Sequence, residues 1–434
     1  MPIYIGVVDV ALLKGFILSL LPHARVLIMH PNFPGQFRHL APALQQAGAD
    51  VRAISFSTAT SETGVAVTYA TFVRGNPATL DPWLHSLDSK IIRGRSVEPI
   101  LHQWQAEGWQ PTLVIGHTGW GDMLGIADIF PEALQLGWFE YFYHTHQSDL
   151  DFDPEFPPSD ALRTKARLKN LWPLWMLDQV HHGVCPTYFQ RDTHPSVYHD
   201  KLSVIHEGID TNRFVPKADV FITLGDGLTL TRNDKVVTFF NRDLEPLRGY
   251  HVFMRALPAL LEKHPDVHVL IVGGDGVSYG APPESGSWKQ HYLEEVGRQL
   301  DPKRVHFLGR VPHNTLIGLM QLSSAHVYLT YPFVLSWSLL EAMSCQAPIV
   351  GSDTAPVREV ITHGENGLLV DFFDQQALVE QISYCLMQPD AARLLGEQAR
   401  EAVIAQYDLH SRCLPAQLAL IESLLEKQKP QAAC

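Results

Sequence analysis

The sequence predicts an α/β protein made of two doubly wound domains, each a mostly parallel sheet with helices on both faces. Three observations carry this. Short apolar runs of strand length alternate with stretches of helical periodicity. The runs end in turns rich in Gly, Pro and Asn. The alternation is laid down twice, before and after a less regular stretch at 216–234.

The first unit opens at Arg25-Val26-Leu27-Ile28-Met29-His30, an apolar run read as a buried strand. Pro31-Asn32-Phe33-Pro34-Gly35 is turn chemistry, and Phe37, Leu40, Ala41 and Leu44 then recur at helical spacing. Gly48 stops that helix and Val51–Ile54 starts the next strand, giving a βαβ unit. Further strands are expected at Leu113–Ile115, Leu136–Phe139 and Leu202–Ile205. A long acidic and aromatic loop is expected at His144–Pro158, and one helix over Ala161–His181 that includes the exposed pair His181-His182. Pro216–Asp234 reads as a linker or hairpin. The second half repeats the logic, with strands at Val236–Phe240, Val267–Val272, Val305–Gly309, Val327–Leu329, Pro348–Gly351 and Leu368–Val370, a helix at Gly249–Lys263 and a terminal helix at Leu409–Lys427. The resulting division is an N-terminal extension (1–23), two Rossmann-like domains (24–215 and 216–405) and a helical tail (406–434) packing back on the first domain.

The 434 residues can bury large cores, and 46% hydrophobic against 18% charged residues favour a globular chain. A net charge of -13 argues against a nucleic-acid partner. Five scattered cysteines without a CxxC give no zinc or disulfide framework and fit a reduced, cytoplasmic chain. The apolar run Ile3–Leu21 is broken by Asp9 and Lys14, so it reads neither as a spanning helix nor as a signal peptide. No continuous basic amphipathic face is visible, which leaves at most weak membrane association.

Ligands of doubly wound sheets sit beyond the carboxyl ends of the strands, so chemistry is sought there. In Asn241–Gly249, Arg242 and Arg248 flank a Pro-containing loop ahead of a helix. Paired guanidinium forks and a helix start suit a diphosphate, against the plainer reading of two solvated arginines. The stretch Tyr331–Ser344 places the helix start Leu335-Ser336-Trp337-Ser338 at a strand end, with Glu341 about one turn in, where a carboxylate can accept two ribose hydroxyls. Gly273 and Gly274 end another strand. In the first half, Gly35 and Gln36 follow the first strand, and Ile115–Gly121 carries His117 and Trp120. Trp138–His144 carries Glu140. His144, His146, Asp149, Asp151 and Asp153 invite a metal reading, but no full ligand set is visible and no metal is assigned.

Taken in order, Arg242 with Arg248, Leu270–Gly276, Phe307-Leu308-Gly309, Ser338–Met343 and His363–Leu369 make the second half resemble the donor domain of glycosyltransferase family 4 (bacterial type, GT-B fold). Val204–Phe214 resembles the passage into that domain, and the likeness runs from about residue 24 to 430. The resemblance implies a retaining, metal-independent hexosyl- or pentosyltransferase with no cofactor. It would move a sugar from a nucleotide diphosphate sugar, by default UDP-linked, to a hydroxyl of a glycan, lipid or small molecule, its two domains facing each other across a cleft. Arg242 matches the diphosphate-binding Arg, and Arg248 stands where most members carry Lys. Glu341 matches the second Glu of the E-x7-E motif, but Phe333 stands in place of the first. Glu140 stands where many members carry a His near the anomeric carbon. The catalytic candidates are therefore Glu140, His117, Arg242 and Arg248. The alternatives are a GT-B epimerase or hydrolase of a nucleotide sugar and, because of Phe333, a non-catalytic nucleotide-sugar or glycan binder.

Overall fold

The computed structural model describes residues 21–58 and 63–428. The N-terminal extension expected at 1–23 therefore lies, up to residue 20, outside the described residues. The described residues fall into two compact units: those of 21–146, 158–208 and 409–428 form one, and residues 147–157 with 209–408 form the other.

The first unit holds a seven-stranded sheet of β1 (Arg25–Met29), β2 (Asp50–Ser55), β3 (Ala66–Tyr69), β4 (Leu113–His117), β5 (Leu134–Trp138), β6 (His182–Cys185) and β7 (Leu202–Val204). Its order is β3-β2-β1-β4-β5-β6-β7 and every pairing is parallel. Parallel strands covered on both faces are apolar throughout, and β4 and β5 are buried at every position. One face packs under Phe37, Leu40 and Leu44, joined by Ile421 and Leu425 of the last helix, Leu414–Gln428. The other packs under Val97, Leu101 and Trp104 of the helix His85–Ala106.

The second unit opens with an antiparallel hairpin, β8 (Phe221–Thr223) and β9 (Thr229–Thr231), inside the stretch read as linker or hairpin. Its six-stranded sheet comprises β10 (Lys235–Asp243), β11 (Val267–Gly274), β12 (Val305–Gly309), β13 (Ala325–Tyr328), β14 (Ile349–Ser352) and β15 (Leu368–Val370). The order is β12-β11-β10-β13-β14-β15, again all parallel. Both sheets thus reverse direction beside their first strand, the doubly wound pattern.

Two sequence expectations need correction. The single helix over Ala161–His181 is two helices, Asp160–Lys169 and Leu171–Gln179, meeting at Asn170, whose side chain bonds the Tyr143 backbone on both sides. His182 is not helical: it begins β6, is half-buried, and its Nε2 lies 2.8 Å from Ser203 Oγ on β7.

The acidic loop is divided between the units. His144 Nε2 lies 2.7 Å from the Thr193 carbonyl and His146 Nδ1 lies 3.2 Å from Arg163, all in the first unit. Residues 147–157 instead lie in the second, as a strap. Asp153, buried, takes the Tyr331 hydroxyl at 2.5 Å and His251 Nε2 at 2.9 Å. Burial works against its charge, but those two bonds outweigh it and hold the carboxyl below its ordinary range. Glu155 grips Arg255 with both oxygens at 2.6 and 2.9 Å, and Glu295 takes the same guanidinium at 2.6 Å. Phe152 packs on Tyr331, Phe372 and Phe373, and Phe156 on Trp288. Asp153, Glu155 and His251 also have ligand-type atoms within 4.8 Å of one another, but Tyr331 and Arg255 already engage the carboxylates.

Removing the Tyr331 hydroxyl (Tyr331→Phe) leaves a buried carboxylate oxygen one donor short. It is expected to cost about 1–3 kcal/mol in urea denaturation, and Asp153→Ala more, because it strips partners from two groups at once.

Candidate functional site

In each sheet the switch point lies where the strand order reverses: between β1 and β4 in the first unit, and between β10 and β13 in the second. Each unit gathers its candidates at that edge.

In the first unit, the pairings Met29 with Gly116 and His117 with Trp138 align the ends of β1, β4 and β5. His30 and His117 consequently meet edge to face, with ring centroids 6.0 Å apart. Gly35 has φ +48°, and a Cβ there would come within 2.5 Å of the His30 ring, so only glycine lets the loop close onto that imidazole. Gln36 Nε2 is buried with no hydrogen-bond partner among the described residues. Burial, then the neighbouring His117, push His30 down to about 4, so it is neutral at physiological pH.

His117 Nε2 lies 3.3 Å from Glu140 Oε1. Its Nδ1 accepts the Gly119 amide proton at 2.9 Å, which puts the neutral ring's proton on Nε2, facing the carboxylate. Burial disfavours the imidazolium, but the Glu140 carboxylate, with Asp122 behind it, outweighs that and raises the pKa. Asp122 is buried, its Oδ1 has no hydrogen-bond partner among the described residues, and burial lifts its carboxyl to about 6 despite Arg93 and His117. The Trp120 ring, partly exposed, sits 5.7 Å from that of His117, and the Arg93 guanidinium lies over it at 5.3 Å from the ring centroid. The cluster thus offers a partly exposed carboxylate with a polarised imidazole behind it, and an indole face beside them.

In the second unit, β10 runs on to Asp243. Arg242 is exposed and Arg248 buried. Both guanidinium groups converge on the Tyr279 ring, at 6.0 and 5.1 Å from its centroid. Arg248 Nη1 donates to Thr330 Oγ1 (2.8 Å) and to the Val334 carbonyl (3.1 Å), tying the loop after β13 to that of β10. Gly249, at φ +71°, begins the helix Tyr250–Lys263, where any Cβ would collide with Leu329. The acids of this loop are structural. Asp243 takes Arg310 at 2.7 Å and Ser278 at 2.6 Å. Glu245, fully buried and raised by that burial, takes the Gly280 amide at 2.9 Å.

Ser336 caps the helix Trp337–Ser344, its hydroxyl accepting from the Ser338 amide at 3.2 Å. The Ser336 amide donates to the Tyr328 hydroxyl at 2.9 Å. Amides at a helix start beyond a strand end suit a diphosphate, and here they belong to Leu335, Ser336, Trp337 and Ser338. Those of Ser336 and Ser338 already have acceptors inside the protein. Glu341, on this helix, lies 3.6 Å from His313 Nε2. Phe333 is buried against Tyr279 at 5.2 Å, so an aromatic pair fills the place of the missing carboxylate. Gly273 and Gly274 are close-approach positions: a Cβ on the first would strike Leu244, and one on the second Asp243 and Arg310.

Gln36 and Gly35 thus join His30, His117 and Glu140 in the first unit, and Arg242, Arg248 and Phe333 gather round Tyr279 in the second. His30, Asp122, Tyr279, Arg310 and His313 were not singled out from sequence. Of these, His30 alone had a signal, as the last residue of a recognised strand.

The family model for the Glycosyl transferase family 4 group matches residues 47–214, and that for Glycosyl transferases group 1 matches residues 228–402. The chain belongs to glycosyltransferase family 4. A D-inositol 3-phosphate glycosyltransferase of Corynebacterium urealyticum is 28% identical over 203 residues, 46% of each chain. The chain therefore matches about half the length of such curated relatives. Sucrose-phosphate synthase from Thermosynechococcus elongatus superposes with a TM-score of 0.71 at 18% identity, covering 93% of this family 4 chain and 99% of the synthase. Anabaena HepE, solved in complex with UDP-glucose, gives 0.62 at 17% identity, covering 93% and 100%. These likenesses carry the fold, which is GT-B.

Asp122 yields a pH test. Its folded pKa is raised, so its contribution to stability is fully present below the unfolded value near 4 and is lost as pH rises through about 6. Asp122→Asn is expected to stabilise the protein by on the order of 2 kcal/mol at pH 8 and hardly at all at pH 4, read from denaturation midpoints at the two pH values.

Proposed function

We propose that this chain transfers a sugar from a UDP-linked donor to an acceptor hydroxyl on a glycan, lipid or small molecule, with retention of anomeric configuration. The observation that carries the reading is the convergence of Arg242 and Arg248 on Tyr279 at the second switch point, beside the loop that leads into the Glu341 helix. Charge grows on the departing diphosphate as the glycosidic bond breaks, and fixed guanidinium groups stabilise that charge without reorganising. Among the described residues Arg248 donates through Nη1, to Thr330 and Val334, which leaves Nη2 and Nε to serve phosphate oxygens. Arg242, exposed, supplies the second fork. Glu341 takes the ribose hydroxyls. The UDP-glucose held by Anabaena HepE supports UDP as the nucleotide.

Phe333 cannot accept a hydrogen bond from a sugar hydroxyl, and the carboxylate assigned to the chemistry is Glu140, with His117 adjusting its charge. Trp120 offers a stacking face for a sugar ring. The acceptor proton leaves on a departing phosphate oxygen, and no separate base is required.

Calorimetry with UDP-, GDP- and ADP-sugars tests the donor. Arg242→Ala is expected to weaken UDP-sugar binding about 10- to 100-fold. Arg248→Lys, which keeps the charge but loses the fork, should weaken it less. Unchanged affinity in both variants rejects the reading. Glu140→Gln should lower turnover by about 100-fold while sparing donor affinity, and undiminished turnover removes Glu140 from the chemistry. Phe333 favours one rival, a nucleotide-sugar binder without turnover. Tight donor binding with no product across a broad acceptor panel selects it.

A further inference from the structure

Outside the candidate site, the first unit bears a groove that its chemistry does not use. One wall is Trp83, Leu84 and Leu87, at the start of the helix His85–Ala106. The other is Lys165, Leu168 and Leu171, at the junction of the helices Asp160–Lys169 and Leu171–Gln179. Trp83, Leu84 and Leu171 are 46%, 45% and 50% exposed, and Leu162 on the second wall's helix is 42% exposed. From Thr71 to Leu84 every residue but Leu80 is exposed, Phe72 and Val73 included. A soluble chain rarely bares so many large apolar side chains together without a use for them.

The charge around this groove is one-sided. The helix Asp160–Lys169 carries Arg163, Lys165, Arg167 and Lys169 against one acid, Asp160, in its first turn. No carboxylate lines the groove. Two acids of the first wall's segment are engaged: Asp88 is forked by Arg74 at 2.5 and 2.8 Å, and Asp81 accepts the Trp83 amide at 2.8 Å. Lys90, bonded to Ser86 at 3.0 Å, is pulled down to about 8 by burial and by the charges of Lys169 and Arg93, as expected where positive charge is crowded. All this stands on a chain of net charge -13.

We propose that this face docks on an anionic lipid bilayer, with Trp83, Leu84, Leu162 and Leu171 entering the headgroup region and Lys165 and Lys169 meeting the lipid phosphates. An indole and aliphatic tips beside lysines suit the boundary between headgroups and acyl chains. Each basic residue near an anionic surface adds attraction, and the acidic remainder of the chain is repelled, which sets the orientation. A second copy of this chain is the poorer occupant, because a two-fold contact would bring one basic face against another. The walls come from distant segments, which is why no continuous basic amphipathic face was visible in the sequence.

The test is flotation of the full chain with vesicles of phosphatidylcholine alone or with 30% phosphatidylglycerol (roughly, to reach the surface charge that draws basic residues), at low and high salt. Binding is expected to the anionic vesicles, to fall with salt and to be weak on neutral ones. Lys165→Ala with Lys169→Ala should lower the partition coefficient about 30-fold, and Trp83→Ala with Leu84→Ala about tenfold or more. Donor affinity, measured alongside, should be unchanged in both pairs; it shows that they fold and separates failure here from failure of the donor reading. Absence of binding to anionic vesicles, equal binding to neutral ones, or binding undiminished in both variants overturns the proposal. So does self-association that the same substitutions abolish in the absence of lipid.

Discussion

Parallel strands that start together also end together, and the candidate chemistry of each unit depends on that constraint. The pairing of β1 with β4 and of β4 with β5 sets His30, His117 and the approach to Glu140 on one edge of one sheet. The pairing of β10 with β13 does the same for the Arg242 loop and the stretch after Tyr328. A one-residue slip in either ladder would turn the alternating side chains to the opposite face and scatter these groups. The apolar residues that fill the faces of β4, β5 and β10 fix the register, so the core and the site are specified by the same strands.

The two edges use charge differently. In the first unit an imidazole is buried behind a partly exposed carboxylate, and behind the imidazole lies a buried acid, Asp122, one oxygen of which has no hydrogen-bond partner among the described residues, an arrangement that costs stability and shifts protonation. In the second, carboxylates fasten loops and guanidinium groups line the edge, so positive charge faces outward while the acids beneath are spent on Arg310, Ser278 and backbone amides. The Phe333–Tyr279 pair gives that edge an aromatic wall, with Arg248 over it at 5.1 Å from the Tyr279 ring.

Strand ends were legible in the sequence because an apolar run breaking into Gly or Pro is a local signal. His117, Arg242, Glu341 and the helix start at Ser336 were found this way. What escaped depends on contacts distant along the chain. β3 is a four-residue edge strand with no buried position, and β6 is four residues following a Leu- and Trp-rich helix whose pattern overran it. The helix His85–Ala106 contains Gly94 and Pro99, residues that weaken a helical reading, and tertiary packing of Val97, Leu101 and Trp104 overrides them. Tyr279 lies in a Gly- and Pro-rich loop with no periodicity, and becomes meaningful only because Glu245 holds the Tyr279–Gly280 backbone in place.

The strap at 147–157 alters what counts as a separable piece of this protein. The chain passes from one unit to the other at 146/147, 157/158, 208/209 and 408/409, so neither unit is one uninterrupted stretch. A gene cut after residue 208 would leave the downstream fragment with His251, Tyr331 and Arg255 bereft of Asp153 and Glu155, and would deprive the upstream fragment of the helix bearing Ile421 and Leu425. Evolution by exchange of halves, easy where one linker joins two modules, would here need a matched strap to travel with its host sheet.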